Sequence, residues 1–544
     1  MNSIRSRIGF YFVLPALAAA CSGSNTNSSS GGAIGGTGTV VGRTGGSTSI
    51  GGAGATGGLA AAGGAGVGGG TTEVTNTGGA ANIGGAANTG GVRSTGGTSS
   101  LGVGGSLATG GAVSGGSPGS GGSTAIKAPW DWAGIIGTGQ SLAVGAHGTP
   151  LKATTQPFHN LKMSSGTAAW PLDPNDSSFK MVPLVEPVGR YSTSYPSSYP
   201  TNIDGETAHT AMSDQITSLA MAAGSADYVN VHGEFGEDGQ GIVYLVKNAT
   251  PSGVNGRAYQ GTLIETQAIT RLAKAAGKTY GVGAIIVTHG ETDCGNASYE
   301  TQLYGLLQSY SADIPAITGQ KEKILMIVSQ QNSLVDRSPS TLAQWKIGND
   351  HPTEAVLACP KYQYPYFADD HVHLVTDGYD MLGEKYGEVY YNRVVLGNGW
   401  LPLQPTSVDR TGARQINVHY HVPVPPMVWD TGISAPNANS AAWRNGKGFE
   451  VRANNNPVTI SSVAISSDTV QITVATDLPS SNVVVGYAMT SQDGTTASTT
   501  TDGAGNSWVG TFRWGQLRDS DPFVGYVTKR AQPNYGVAFE MTVP

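Results

Sequence analysis

Two textures of hydrophobic spacing divide the chain. Up to about residue 400, short apolar runs alternate with segments that are apolar at every third or fourth position. Trp132-Ala133-Gly134-Ile135-Ile136, Val282 to Val287 and Ile324 to Val328 are runs of the kind buried on both faces of a sheet, and Asp227 to Val231 reads as a shorter strand. His209 to Ala223 carries a stripe of Ile216, Leu219 and Ala220. Leu263 to Ala276 repeats Ile264, Ala268, Leu272 and Ala276 at i, i+4 and ends at Gly277, a helix-stop signal. Tyr379 to Val395 reads as a closing helix. Strands alternating with helices over residues 125–400 predict an α/β domain with a doubly wound, mostly parallel sheet, whose ligand crevice lies at the carboxyl ends of its strands.

From about residue 401 the period changes to two. Ile416-Asn417-Val418-His419-Tyr420-His421-Val422 and Val470-Gln471-Ile472-Thr473-Val474 alternate, and Pro, Asn-Gly and Asp-Gly turns recur. Residues 401–544 are therefore expected to form an all-β sandwich. The junction Leu401-Pro402-Leu403 lacks linker composition, which predicts a sandwich packed on the preceding domain.

Composition changes the picture only at the N-terminus. The chain has 544 residues, of which 80 are Gly and 12 % are charged, with a net charge of −7. The glycine is concentrated in residues 21–124, a Gly/Ser/Thr/Ala-rich stretch with no apolar period and no capacity for a core. It reads as a disordered tether with an r.m.s. span on the order of 55 Å. Residues 1–20 have the charge and apolar run of a signal peptide, with Arg5 and Arg7 before Ile8 to Ala20, too short to span a membrane. Leu17-Ala18-Ala19-Ala20-Cys21 resembles a bacterial lipobox with its leucine displaced by one place, which implies an exported lipoprotein anchored through Cys21 at the outer membrane or cell surface; simple cleavage near Ala20 is the alternative. Export would permit a disulfide between Cys294 and Cys359, the alternative being two unpaired thiols. No basic stripe exists, so nucleic acid is not an expected partner.

Three polar blocks carry candidate chemistry. Gly139-Gln140-Ser141 follows the first strand, and a serine on a tight turn after a strand is held exposed as a nucleophile of acyl transfer needs; a solvated or capping serine is the bland reading. Asp370-His371-Val372-His373 spaces an acid and an imidazole so that the carboxylate of Asp370 can orient His373, with Asp369 and His371 as local competitors. Thr288-His289-Gly290-Glu291-Thr292-Asp293 places polar groups at the end of a buried strand, where they are costly unless partnered. His419 and His421 alternate on one strand face but lack a third ligand, so no metal is expected.

Together the blocks resemble an SGNH-fold hydrolase of the sialate O-acetylesterase-like and acetylxylan-esterase-like branch over roughly residues 130–395. Gly139-Gln140-Ser141 stands at the nucleophile, His289-Gly290-Glu291-Thr292-Asp293 stands for a Gln-Gly-Glu-Ser-Asp-like block, and Asp370-x-x-His373 comes last. The resemblance implies a three-layer αβα domain with Ser141 as nucleophile, His373 as general base and Asp370 as its orienting acid. It implies an oxyanion hole from the Ser141 N–H, a glycine N–H and a side chain of the middle block. The glycine is expected after the strand ending at Val231, in the stretch His232 to Gly241, with Gly239 first and Gly236 second. His289 replaces the branch's glutamine as the third donor; read against the wider fold's Gly-x-Asn-Asp block, Thr292 would hold that place instead. Gln140 and Glu291 are expected to bind substrate, and Phe235 to wall the acyl pocket.

The function so implied is a serine carboxylic-ester hydrolase acting on acetylated carbohydrate, monomeric and without cofactor. Esterases of lipid, aryl or polyester substrates and a non-catalytic carbohydrate-binding lipoprotein are the alternatives.

Overall fold

The computed structural model describes residues 128–164, 173–188, 205–225, 227–247, 256–367, 372–490, 498–501 and 507–544. The expected signal peptide, the tether, Cys21, Asp369, Asp370 and His371 lie outside the described residues. The first part of the chain runs β1 (Trp132–Gly139), β2 (Leu161–Met163), β3 (Met181–Pro183), α1 (Ala208–Ala222), β4 (Asn230–Gly236), α2 (Arg257–Ala275), β5 (Tyr280–Thr288), α3 (Tyr299–Thr318), β6 (Leu325–Gln330), β7 (Ser333–Leu334), α4 (Pro339–Asp350), β8 (Ala355–Pro360) and α5 (Thr376–Tyr390).

Seven of these strands form one sheet in the order β3-β2-β4-β1-β5-β6-β8, parallel except for β3. From β1 the chain builds one side of the sheet and then crosses to the other for β5, β6 and β8. The order therefore reverses beside β1, which is where an open α/β sheet leaves a crevice beyond its strand ends. Successive residues of the buried strands point to opposite layers. Ile135, Ala284, Ile286 and Ile327 pack with Met212, Ile216, Leu382 and Tyr386 of α1 and α5. Ile136, Ile285, Val287 and Met326 pack with Ile269, Leu303, Leu306 and Ile347 of α2, α3 and α4. The result is three layers, helix, sheet and helix.

Several elements depart from the expected pattern. The strand expected over Asp227 to Val231 begins at Asn230 and runs on to Gly236, so His232 to Gly236 are strand, not loop. The buried side chains of His232 and Glu234 are held there by His209 of α1, which bonds to both. Phe235 points into the core against Gly261 of α2, where a Cβ would come within 2.3 Å of its ring, and it does not wall an acyl pocket. Cys359 is a free, buried thiol 3.3 Å from the Tyr364 hydroxyl, so the disulfide with Cys294 does not form.

The second part is antiparallel: β9 (Gln404–Gly412), β10 (Gln415–His421), β11 (Val428–Trp429), β12 (Phe449–Ala453), β13 (Asn456–Pro457), β14 (Ile460–Ser466), β15 (Thr469–Val474), β16 (Val483–Tyr487), β17 (Ser498–Thr501), β18 (Ser507–Phe512), β19 (Leu517–Arg518) and β20 (Phe539–Val543). Two four-stranded sheets, β14-β15-β10-β9 and β13-β12-β16-β20, share one core of Ile416, Val418, Val470 and Ile472 against Phe449, Val451, Val483 and Val485. His419 is held on an outer face by Asp409 at 2.5 Å and Thr469 at 2.9 Å.

This sandwich is fastened to the α/β part by more than apolar contact. β18 pairs with β7, Thr511 opposite Leu334 and Phe512 opposite Ser333. The Gln330 amide donates to Ala538 O and accepts from Ala538 N–H, both at 2.7 Å. Arg513 is fully buried and donates to Gln331, Asn332, Ser333 and Thr341. Trp345 donates to Gln404 at 3.2 Å. The apolar cores of the two parts are continuous.

Candidate active site

The site grows from the carboxyl end of β1. Gly139 has φ +151°, and a Cβ there would lie 2.1 Å from Thr288 O of β5, so only glycine lets the chain turn this close to its neighbour. Both neighbouring strands hold the turn. Glu237 N–H donates to Gly139 O at 2.8 Å, and Gln140 N–H donates to Thr288 O at 3.3 Å. Gln140 O then accepts from the N–H groups of Ala143 and Val144, which closes the turn around Ser141.

On that turn Ser141 Oγ lies 2.8 Å from His373 Nε2, although the two residues are 232 positions apart. Ser141 is 4 % and His373 9 % exposed, so the pair is sheltered from bulk water. His373 sits just before α5, where its carbonyl accepts from Phe367 N–H at 2.8 Å and Leu374 bridges Tyr366. Its expected partner, Asp370, is outside the described residues. The Ser141 and Gly239 N–H groups make no hydrogen bond among the described residues. Gly239 has the left-handed φ of +67°. Thr292 spans the two: its N–H donates to Gln140 Oε1 at 3.2 Å and its hydroxyl donates to Gly239 O at 3.3 Å. Gly236, the second choice for the oxyanion glycine, is instead paired within β4 opposite Gly139.

The middle block is a fastening rather than a set of free ligands. His289 is fully buried. Its Nε2 lies 2.9 Å from Gln240 O, which can only accept, so Nε2 carries that proton and Nδ1 takes the Tyr299 hydroxyl at 2.9 Å. Burial holds the Tyr299 phenol well above its usual range, which keeps that hydroxyl a donor. With both nitrogens engaged, His289 has no proton to offer an oxyanion. It props the loop after β4, and Thr292 is the member of the block that faces the Ser141 turn. Glu291 likewise is buried in an ion pair with the equally buried Lys361, which follows β8, and is not positioned as a surface ligand for substrate. Gln140 is 1 % exposed and braces the turn. Asp293 accepts from Ile242 N–H at 2.7 Å, which fixes the far end of the same loop.

Solved structures similar to this chain include a carbohydrate acetylesterase from Xanthomonas citri, at 11 % identity and a TM-score of 0.46, covering 75 % of this chain and 80 % of that one. NanS matches at 11 % identity and a TM-score of 0.31, over 47 % of this chain and 96 % of that one. A carbohydrate acetylesterase from Sinorhizobium meliloti matches at 11 % identity and a TM-score of 0.26, over 47 % of this chain and 97 % of that one. No family model and no curated protein matches the chain.

Several residues around the site carry no signal in the sequence. Arg257 of α2 grips Glu237 through two bonds of 2.8 and 2.7 Å, both side chains being buried, and so steadies the N–H that holds Gly139. Beneath the turn, on the α1 side of β4, His209 Nε2 lies 2.9 Å from Glu234 Oε2 and its Nδ1 lies 2.9 Å from His232 Nδ1. Burial pushes His209 down to about 4 and His232 lower than usual, and it pushes Glu234 up, so the cluster is held in its uncharged forms. Gly137 makes room for it: a Cβ there would overlap both Glu234 Oε2, at 1.7 Å, and His209 Nε2, at 2.0 Å. His147 is the third surprise, its ring 4.9 Å from that of His373.

Proposed function

We propose that this chain is a serine carboxylic-ester hydrolase that removes O-acetyl groups from carbohydrate. The observation that carries the reading is the 2.8 Å contact of Ser141 Oγ with His373 Nε2 at the carboxyl end of β1, where the strand order reverses. His373 Nε2 takes the hydroxyl proton as Oγ forms a bond to the ester carbonyl carbon. The tetrahedral oxyanion is stabilised by the Ser141 and Gly239 N–H groups, and each such donor contributes on the order of 10²–10³ in rate. The carbon–oxygen bond to the sugar then breaks, and His373 returns the proton to the departing alcohol. Water repeats the sequence on the acetyl-serine and releases acetate. Asp370 orients the imidazole and stabilises its protonated form.

The carbohydrate half of the reading is supported by the order and spacing of the blocks ending at Ser141, Asp293 and His373. We further propose that Cys21 is lipidated and that residues 21–124 let the domain reach polymer beyond the membrane surface. Acetate release across a panel of acetylated glycans, with Ser141→Ala as the blank, tests the reading. Release from at least one glycan above that blank is expected, and release from aryl or long-chain esters alone contradicts the carbohydrate assignment.

A further inference from the structure

His147 closes the turn that begins at Ser141, and its backbone is left-handed at φ +63°. A non-glycine residue held there costs about 1–2 kcal/mol. Gly148 N–H to Gly145 O at 2.9 Å and Glu206 N–H to Gly148 O at 2.7 Å keep the turn in this shape. The strain leaves the His147 side chain exposed, so the fold gains little buried area in return. The ring is nonetheless ordered by its neighbours. It stacks on Phe367 with centroids 4.4 Å apart and planes 27° apart, and it lies 4.9 Å from the His373 ring at 44°.

Acyl-transfer geometry decides which half of an ester meets this surface. The leaving oxygen must come within hydrogen-bond reach of His373 Nε2 to take its proton, while the carbonyl oxygen turns to the N–H groups of Ser141 and Gly239. Whatever is attached to the leaving oxygen therefore lies against the groups that flank His373. The flanking group on the Ser141 turn is an exposed imidazole backed by a phenyl ring. A pyranose presents a face of C–H groups, and an aromatic surface beside a few polar groups suits it.

We propose that His147, backed by Phe367, is the subsite for the leaving alcohol, on which the pyranose ring of an acetylated sugar stacks during attack by Ser141. The proposal rests on the esterase reading above and deepens it by naming the surface that holds the sugar, a pyranose presenting a flat face to His147. His147 then contacts the substrate without moving a proton.

The test compares kcat/KM for a mono-acetylated methyl pyranoside with that for ethyl acetate, which has no ring to stack. Asn tolerates the left-handed backbone and lacks the ring, so His147→Asn separates the ring from the turn. The ratio of the two constants is expected to fall about two- to tenfold in His147→Asn and in Phe367→Leu, and to stay within about twofold of wild type in His147→Tyr. An unchanged ratio in both ring-removing variants overturns the proposal. So do equal losses on the two esters, whose joint fall with a displaced pH–rate profile would mean that His147 acts on His373 through charge. Wild-type protein that hydrolyses neither ester would overturn the esterase reading itself, a result distinct from either of these.

Discussion

Gly139→Ala should remove most of the proposed esterase activity while leaving the chain folded. The added Cβ would stand 2.1 Å from Thr288 O and 2.9 Å from the Ala143 Cβ, whereas real Cβ atoms essentially never come within 3.0 Å of such atoms. Thr288 is the last residue of β5 and pairs with Gly139 in register, so its carbonyl cannot retreat without opening the sheet. The turn must yield instead, by about 0.9 Å along that contact. Ser141 lies two residues on, and a displacement of about 1 Å at a reacting atom costs on the order of 10²-fold in rate. The φ of +151° adds strain of about 1–3 kcal/mol. Gly277→Ala is the control: its φ is +66°, but nothing lies within 4 Å of the new Cβ, so it should lose about 1–2 kcal/mol of stability and no activity. The assay is kcat on an aryl acetate beside urea unfolding of the same preparations. A Gly139→Ala protein within about threefold of wild-type kcat would show that the turn does not depend on this close approach.

Ser141→Ala and His373→Ala should each lower kcat on an aryl acetate by about 10³-fold or more, and the double variant should be little worse than either, because the two act as one unit. Losses that multiply in the double variant would mean independent roles. Stability should fall on acidification through His209: its proton affinity is lowered from 6.5 to about 4, so between those values the unfolded chain binds a proton that the folded chain refuses. Stability present above pH 6.5 is thus lost as pH drops toward 4, and His209 should account for about 2 kcal/mol between pH 7 and pH 5. Urea unfolding at both pH values checks this, and His209→Gln should show a correspondingly smaller loss; an equal loss assigns the effect elsewhere. Limited proteolysis should not yield two stable fragments cut near residue 400, since β18 pairs with β7 and Gln330 is bonded twice to Ala538. Recovery of two folded fragments would show that these contacts are dispensable.

Apolar runs and helical stripes made the central sheet legible, because β1, β5 and β6 are buried on both faces and their sequences can be little else. The helix over His209 to Ala223 and the alternating strands at 416–422 and 470–474 fall within a residue or two of α1, β10 and β15. The expected strand stops at Val231, short of the end of β4 at Gly236, because His232 and Glu234 look like loop residues. They are strand residues whose partner, His209 of α1, comes from a distant part of the chain. The same limit applies to the site. Ser141 and His373 stand out by the blocks they sit in, and their contact is what those blocks suggested. His289 and Glu291 stand out equally, yet their partners Tyr299, Gln240 and Lys361 turn them inward as braces. Residue type alone cannot separate a buried brace from a ligand, because the two differ only in who occupies the other end of the bond. His147 gave no signal at all, since its importance lies in a left-handed backbone angle and a neighbouring ring.

The most direct test of the central claim is covalent labelling of the intact protein with a fluorophosphonate, followed by peptide mapping. The phosphonyl group should be found on Ser141, should be absent from Ser141→Ala, and should be acquired far more slowly by His373→Ala. Protein that hydrolyses an acetyl ester while Ser141 stays unmodified, or that carries the label on another residue, would contradict it.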